Sequence, residues 1–210
     1  MLRNYSTRVF LVIAIAIGLS SCTALREIES TLTNISRCKF KLDSVADFTL
    51  AGIPLNNKAS LSDISIADGV VLAGNFAKGK LPASFVLNVA AVNPNDGTGG
   101  SKRASATLTS FAWTLILDNK TTITGNIAKP VTIPGTGQQV LIPLRMELDL
   151  LEFFKNDSYE TLVNLALALG GIKGSPAKIT LRARPTISTK FGPITYPGEI
   201  NIIDREFRAQ

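Results

Sequence analysis

The sequence predicts a mainly β protein, built as an antiparallel β-sandwich with one or two accessory helices. Residues 140–150 alternate between apolar and polar side chains, which is typical of a strand with one buried and one exposed face. Residues 84–95 form an apolar run that stops at an Asn-Pro-Asn triplet, as expected of a core strand that enters a turn. Strand-like segments separated by Gly, Pro and Asn turns at regular spacing complete the pattern of a sandwich.

Length and composition fit one domain with an N-terminal extension. The chain has 210 residues, of which 45% are hydrophobic, and a net charge of +6. This positive excess is mild and the aromatic residues do not alternate with basic ones, so we expect no nucleic-acid partner. Histidine is absent, which excludes Ser-His-Asp and Cys-His catalysis and removes the commonest nitrogen ligand of metals. We therefore expect a protein that is not an enzyme and has no cofactor or metal.

Residues 1–21 have the parts of a lipoprotein signal peptide. Two arginines precede an apolar run at 9–19, which is too short to span a bilayer as a helix. The following Leu19-Ser20-Ser21-Cys22 resembles the bacterial lipobox, whose cysteine is acylated when the signal is removed. The resemblance implies a lipid on Cys22 and a place in the cell envelope. Thr23 stands where an aspartate tends to retain lipoproteins in the inner membrane, so the outer membrane is favoured. The alternative is an ordinary signal peptide followed by a cysteine that is buried by chance.

Residues 22–37 are expected to connect the lipid to a domain at 38–205. Apolar residues at helical spacing fit a short amphipathic helix and fit a frayed tether equally well, because isolated helices of this length are marginal: Leu25, Ile28, Leu32 and Ile35. At the start of the domain, Cys38 is expected to be a small buried hydrophobic residue rather than a reactive thiol.

Several further segments predict strands on either side of the two already described. Residues 38–55 predict a strand or a bent pair of strands that ends at Pro54. Residues 104–117 place alternate apolar side chains on one face, and residues 121–128 continue as a strand after an Asp-Asn turn. Residues 194–203 predict the last strand.

Two segments predict helices. Residues 61–80 carry an apolar stripe, and Ser62 or Asp63 could cap this helix. The stripe consists of Ile64, Val71, Leu72 and Phe76. The second helix has Asn156 or Asp157 as its cap, with a glutamate three residues after the aspartate in the pattern of a capping box.

Three groups of polar residues could carry chemistry. The glycine-rich loop at 96–101 lacks the sequence and the following helix of a phosphate-binding loop, so a hairpin loop is favoured. Three acidic residues lie close in sequence without a carboxylate across from them, so a glycosidase has no support: Glu147, Asp149 and Glu152. A basic row along the penultimate strand could meet anionic lipid or a partner, although a solvated strand face is favoured: Lys178, Arg182, Arg184 and Lys190.

The region from about residue 38 to residue 203 resembles the late embryogenesis abundant group 2 family, also called the WHy (water stress and hypersensitive response) domain. The resemblance rests on the apolar strand before Asn93-Pro94-Asn95 and on four later features: Ile123-Thr124-Gly125, Ile133-Pro134-Gly135 followed by Val140-Leu141-Ile142-Pro143, the helix near Thr161, and Pro185. It implies a fibronectin-III/immunoglobulin-like sandwich of about seven strands plus a helix, without catalysis. It also implies a role in desiccation or stress protection, or contact with lipid and apolar molecules.

The sequence therefore predicts a lipid-anchored envelope protein that protects or binds at the membrane. Its partners would be the membrane, through the N-terminal lipid, and an apolar ligand or another envelope protein. A carrier or accessory subunit that holds a lipid or another apolar ligand between sandwich and helix is the alternative. Within the triplet, Asn93 and Asn95 have side chains suited to bonding the backbone of a turn that Pro94 sets, so the motif is expected to be structural.

Overall fold

The computed structural model of the protein describes residues 29–30, 33–34, 36–55, 58, 61–98, 103–169, 179–190 and 192–202. The predicted signal peptide at 1–21, Cys22 and most of the predicted tether lie outside these residues. The described part is mainly β, with every paired strand antiparallel to its neighbour. The predicted antiparallel β-sandwich is confirmed.

Two sheets build the sandwich. Sheet A has the order β2-β1-β3-β7, with strands β1 (Lys39–Leu50), β2 (Ile53–Pro54), β3 (Pro82–Val92) and β7 (Gln139–Asp149). Sheet B has the order β10-β8-β4-β5, with β4 (Ala106–Leu117), β5 (Lys120–Gly125), β8 (Ile179–Thr189) and β10 (Ile200–Ile202). Two short strands extend sheet B, because β6 (Val131–Ile133) pairs with β4 and β9 (Gly192–Thr195) pairs with β8.

Strand β3 is the centre of sheet A. It pairs with β1 on one side and along all eleven of its residues with β7 on the other. Its inward side chains are buried. On its outer face Pro82 is exposed, Ala90 is buried and the others are half-buried. This agrees with the prediction of a core strand. The ladder ends at Val92, so the Asn-Pro-Asn triplet lies beyond the strand.

The core lies between the two sheets. Phe40 of β1 and Phe111 of β4 touch across it, with ring centroids 5.6 Å apart, and Phe48 stacks on Phe85 at 5.4 Å. The predicted alternation along β7 is confirmed from residue 142 to residue 148, since the even-numbered side chains are buried and the odd-numbered ones are exposed. A shift of one residue would bury Arg145 and Glu147, so the pattern fixes the pairing.

Three helices of the described part lie together at one end of the sandwich. They are α1 (Ile66–Ala77), α2 (Leu150–Phe153) and α3 (Tyr159–Leu169). Helix α1 packs through Leu72, which is fully buried, and through Phe76, whose ring meets Tyr159 of α3 edge-on at 5.5 Å. We call this end of the molecule, where β3 begins, the helix end.

The cap of α1 lies further along the chain than predicted. The predicted caps, Ser62 and Asp63, lie in a single 3-10 turn, Leu61–Asp63. Ser65 is the cap, because its hydroxyl accepts a hydrogen bond from the Asp68 N–H at 3.1 Å.

The cap of α3 is Ser158 rather than Asn156 or Asp157. The Ser158 hydroxyl accepts a hydrogen bond from the Thr161 N–H at 3.2 Å. The Asp157 N–H instead donates to the Phe154 carbonyl oxygen at 3.2 Å, which places Asp157 in the turn before the helix. The predicted capping box is therefore wrong.

The predicted last strand at 194–203 is two strands. Strands β9 and β10 both pair with β8, and residues 196–199 interrupt the ladder between them. Pro197 lies in this interruption and has no N–H to donate, which accounts for the break. Strand β5 likewise ends at Gly125 rather than near residue 128, and β6 is a short strand that the sequence did not predict.

Gly125 allows β5 to approach the core tryptophan. A Cβ at this position would lie 2.3 Å from Cζ2 of Trp113, its partner in the register of β4 and β5. Trp113 is buried, so its ring has little freedom to move aside. The Ile123-Thr124-Gly125 segment is thus constrained by packing.

We expect Gly125→Ala to lower the free energy of unfolding by about 1–3 kcal/mol, because the new methyl group overlaps the Trp113 ring. Gly74→Ala in α1 is the matched control, since its Cβ would meet nothing within 4 Å. That variant should gain roughly 0.5–1 kcal/mol. Urea unfolding monitored by tryptophan fluorescence measures both, and equal effects of the two substitutions would contradict the packing argument.

Candidate functional site

Residues 93–95 form a corner at the end of the sandwich opposite the helices. Asn93 and Asn95 are the buried polar residues of the described part, at 0% and 1% exposure, so their amides must find partners inside the protein. We call this the corner, and the end of the sandwich that carries it the corner end.

The Asn93 side chain joins three segments. Its Nδ2 donates to the carbonyl oxygen of Ala104, which precedes β4, at 2.8 Å, and to that of Ile133, which ends β6, at 3.2 Å. Its Oδ1 accepts from the backbone N–H of Asn95 at 3.1 Å. The Asn93 carbonyl oxygen accepts from the Gly137 N–H at 3.1 Å. One residue at the end of sheet A thus holds two strands of sheet B.

Asn95 ties the N-terminal segment to the corner. Its Nδ2 donates to the carbonyl oxygen of Asn34 at 2.9 Å and to Oδ1 of Asn93 at 2.8 Å. Its own carbonyl oxygen accepts from the Ala104 N–H at 3.0 Å. The chain therefore enters the domain at the corner end, where residues 29–30, 33–34 and 36 are helical.

The corner leaves no room for a side chain on Gly135. A Cβ there would lie 2.5 Å from the carbonyl oxygen of Asn95 and 2.6 Å from that of Ala104. The Gly135 carbonyl oxygen also accepts from Nε of Arg103 at 3.2 Å. The backbone bonding that the sequence suggested for the two asparagines is present, and the corner offers geometry for structure rather than for chemistry.

Cys38 is a buried, inert thiol. The side chain is 4% exposed, and burial raises the pKa of the Cys38 thiol from 9.0 to about 11. Its Sγ donates to the Asn34 carbonyl oxygen at 3.6 Å. At neutral pH almost none of it is thiolate, which is the reactive form. The prediction of a small buried hydrophobic residue is confirmed.

The predicted basic row does not form one cluster. Arg182 lies 3.6 Å from the Glu199 carboxylate, while Arg184 is exposed two residues further along β8. Lys190 lies beyond the end of β8 at the corner end, and Lys178 lies outside the described residues. These positions are spread along the length of the strand.

The acidic residues serve different purposes. Oδ1 of Asp149 accepts from the N–H groups of Leu81 and Leu151, at 2.8 and 3.0 Å, so this carboxylate caps α2 and ties it to the start of β3. Glu147 and Glu152 are exposed.

Within the described residues, no group of three or more acidic or cysteine side chains is placed to hold a metal ion. In the same part of the chain, no helix has the length and apolarity needed to cross a membrane.

Helix α1 exposes an apolar surface. Ile66 is 90% exposed, Val70 67% and Val71 46%, and Leu141 on β7 is the other large hydrophobic residue exposed in the described part. We call the surface of Ile66, Val70 and Val71 the α1 face. The prediction that Val71 belongs to the buried stripe is wrong, because Leu72 and Phe76 occupy the inward side. The sequence did contain a signal, since α1 has more apolar positions than one buried face can use.

A groove of about 410 Å³ crosses the outer face of sheet A near the helix end. Polar and apolar residues together line it: Thr49, Gly52, Pro82, Ala83, Ser84, Glu147 and Leu148. The Thr49 and Ser84 hydroxyls bond each other at 2.8 Å. This mixed lining on an outer face differs from the apolar space between sandwich and helix that a lipid carrier would need.

No protein-family model and no curated protein matches the chain. Among solved structures, a crystal structure of a protein from Archaeoglobus fulgidus is similar to it, with 12% sequence identity and a TM-score of 0.31. The match covers 60% of this chain and 88% of that protein.

We expect Asn93→Ala to lower the free energy of unfolding by about 3 kcal/mol, because it removes the donor to the buried carbonyl oxygen of Ile133 and to the partly buried one of Ala104. Asn88→Ala in β3 is the matched control, because its side chain donates to the Ser44 hydroxyl near solvent. The control should lose less than about 1 kcal/mol. Urea unfolding compares them, and similar losses for both variants would show that the corner bonds contribute little.

Proposed function

We propose that this protein is a lipid-anchored envelope protein of the WHy type that protects or binds at the membrane without catalysis. The observation that carries the proposal is that segments behind the resemblance are physically joined. The Asn93 amide donates to Ile133 O, Gly135 packs against the backbone of Asn95, and residues 140–143 pair with the apolar strand before Asn93. Residues that form one connected arrangement support a common family pattern better than scattered matches would.

The α1 face supports a binding role. Three of the four large hydrophobic side chains that the described part exposes lie on this one helix. Covering exposed apolar groups with another apolar surface lowers the free energy of the system. Partly unfolded proteins expose such surfaces during drying or freezing. A domain held at the membrane could cover them transiently and release them without chemistry.

The proposal first predicts that Cys22 carries a lipid. We expect Cys22→Ser to abolish incorporation of labelled fatty acid and to leave an uncleaved or mislocalised precursor. Cys38→Ala is the control, because Cys38 is buried in the domain and should not alter labelling. Intact mass of the purified protein checks the result independently. A wild-type protein that carries no lipid and partitions as the variant does would refute the anchor.

The proposal also predicts that the protein protects other proteins during freezing and thawing. The lipidated protein in vesicles should preserve a labile enzyme through freezing and thawing better than an equal mass of an inert globular protein. Ile66→Ser with Val70→Ser should lower this protection at least about twofold, because both side chains are mostly exposed on the α1 face. Leu141→Ser is the control, since it removes an exposed leucine from a different surface. Protection no better than that of the inert protein would rule out this role.

A further inference from the structure

The two ends of the sandwich carry opposite charge. Among the described residues, the corner end has five basic side chains, Arg37, Lys39, Lys41, Arg103 and Lys190, against three acidic ones, Glu29, Asp43 and Asp96. The helix end has nine acidic side chains against six basic ones. Its acidic residues are Asp47, Asp63, Asp68, Asp118, Glu147, Asp149, Glu152, Asp157 and Glu160, and its basic residues are Lys58, Lys78, Lys80, Lys120, Arg145 and Lys155. The other charged side chains of the described part lie between the two ends: Lys129, Arg182, Arg184 and Glu199.

The strands hold these two charges apart. The eleven residues of β3 run from one end to the other, which is about 35 Å at the rise of a β-strand. Near a charged surface the potential falls off over about 8 Å at physiological ionic strength. Only the end of the domain that faces a charged surface therefore interacts with its potential. An anionic surface would attract the corner end and repel the helix end.

The chain enters the domain at the positive end. Asn34 is fixed to the corner through its carbonyl oxygen, which accepts from Nδ2 of Asn95 at 2.9 Å. Cys22 precedes Asn34 by twelve residues, which reach at most about 40 Å when fully extended. A lipid on Cys22 therefore keeps the corner end within about 40 Å of the membrane. Because the domain itself is about 35 Å long, the charges of the two ends decide which of them faces the lipid.

From these observations we propose that the corner end is a docking surface for anionic lipid headgroups, which orients the domain with its helix end away from the membrane. The proposal rests on the lipid anchor of the proposed function and adds an orientation to it. Arg37 and Arg103 are exposed at this end, and Nε of Arg103 is held by Gly135 O, which positions its guanidinium. The α1 face then points into the aqueous space.

Fluorescence quenching on vesicles tests the orientation. Two variants of the lipidated protein, Gln138→Cys at the corner end and Ala67→Cys on α1, each place a label at an exposed position. Cys38 is buried and should not react with the label. On vesicles with anionic lipid and a quencher on the headgroups, the label at 138 should be quenched at least about threefold more than the label at 67, and 1 M salt should reduce the difference.

Charge reversal provides the matched comparison. Arg37→Glu with Lys39→Glu should abolish the difference in quenching, while Lys78→Glu with Lys155→Glu, which changes the net charge equally at the helix end, should keep it. Circular dichroism confirms that each variant is folded. Equal quenching at both positions overturns the proposal, and so does stronger quenching at 67, which would mean that the α1 face enters the membrane.

A failed anchor gives a separate result. If intact mass shows no lipid on Cys22, the proposed anchor is wrong, and the surface is then judged by sedimentation with anionic vesicles at low salt. Binding by the wild type that Arg37→Glu with Lys39→Glu removes, and that zwitterionic vesicles do not support, upholds the docking surface. Equal sedimentation with both kinds of vesicle, or none, overturns it.

Discussion

The amide of Asn93 is the interaction on which the arrangement of the two sheets depends. It follows the central strand of sheet A and donates to carbonyl oxygens that belong to the entry of β4 and the end of β6, both in sheet B. The Ile133 carbonyl is buried, so without the amide it would carry a penalty of about 1–3 kcal/mol, while the Ala104 carbonyl is partly buried. The core holds the sheets face to face, but this side chain fixes how their ends meet.

The residues around Asn93 are suited to the hydrogen bonds that it makes. Pro94 has no N–H, so the turn adds no buried donor that would need a partner. Gly135 lacks the Cβ that would collide with the carbonyl oxygens of Asn95 and Ala104. Asn95 continues the bonding to Asn34, so the segment that leads into the domain joins the same network. The network is not complete, because Oδ1 of Asn95 is buried without a donor.

Sequence periodicity predicted strands whose side chains alternate between a buried and an exposed face. It failed at positions such as helix caps, where a single hydrogen bond decides the structure. The alternation in β7 follows from one buried face, so it is visible in the residues themselves. The caps of α1 and α3 were misplaced by one to three residues, because several neighbouring side chains could have accepted the same kind of bond. The corner partners of Asn93 lie 11 and 40 residues away, so no local pattern could identify them. The charge separation likewise requires the strand order.

The exposed part of α1 is not explained by folding. Leu72 and Phe76 already attach the helix to the domain, and Gly69 and Gly74 weaken it as an isolated helix, so its stability depends on that inward side. Ile66, at 90% exposure, contributes almost nothing to the core, and its contact with water is unfavourable. A polar residue would serve the fold as well at this position. The packing of the described residues therefore does not require an apolar side chain at this position.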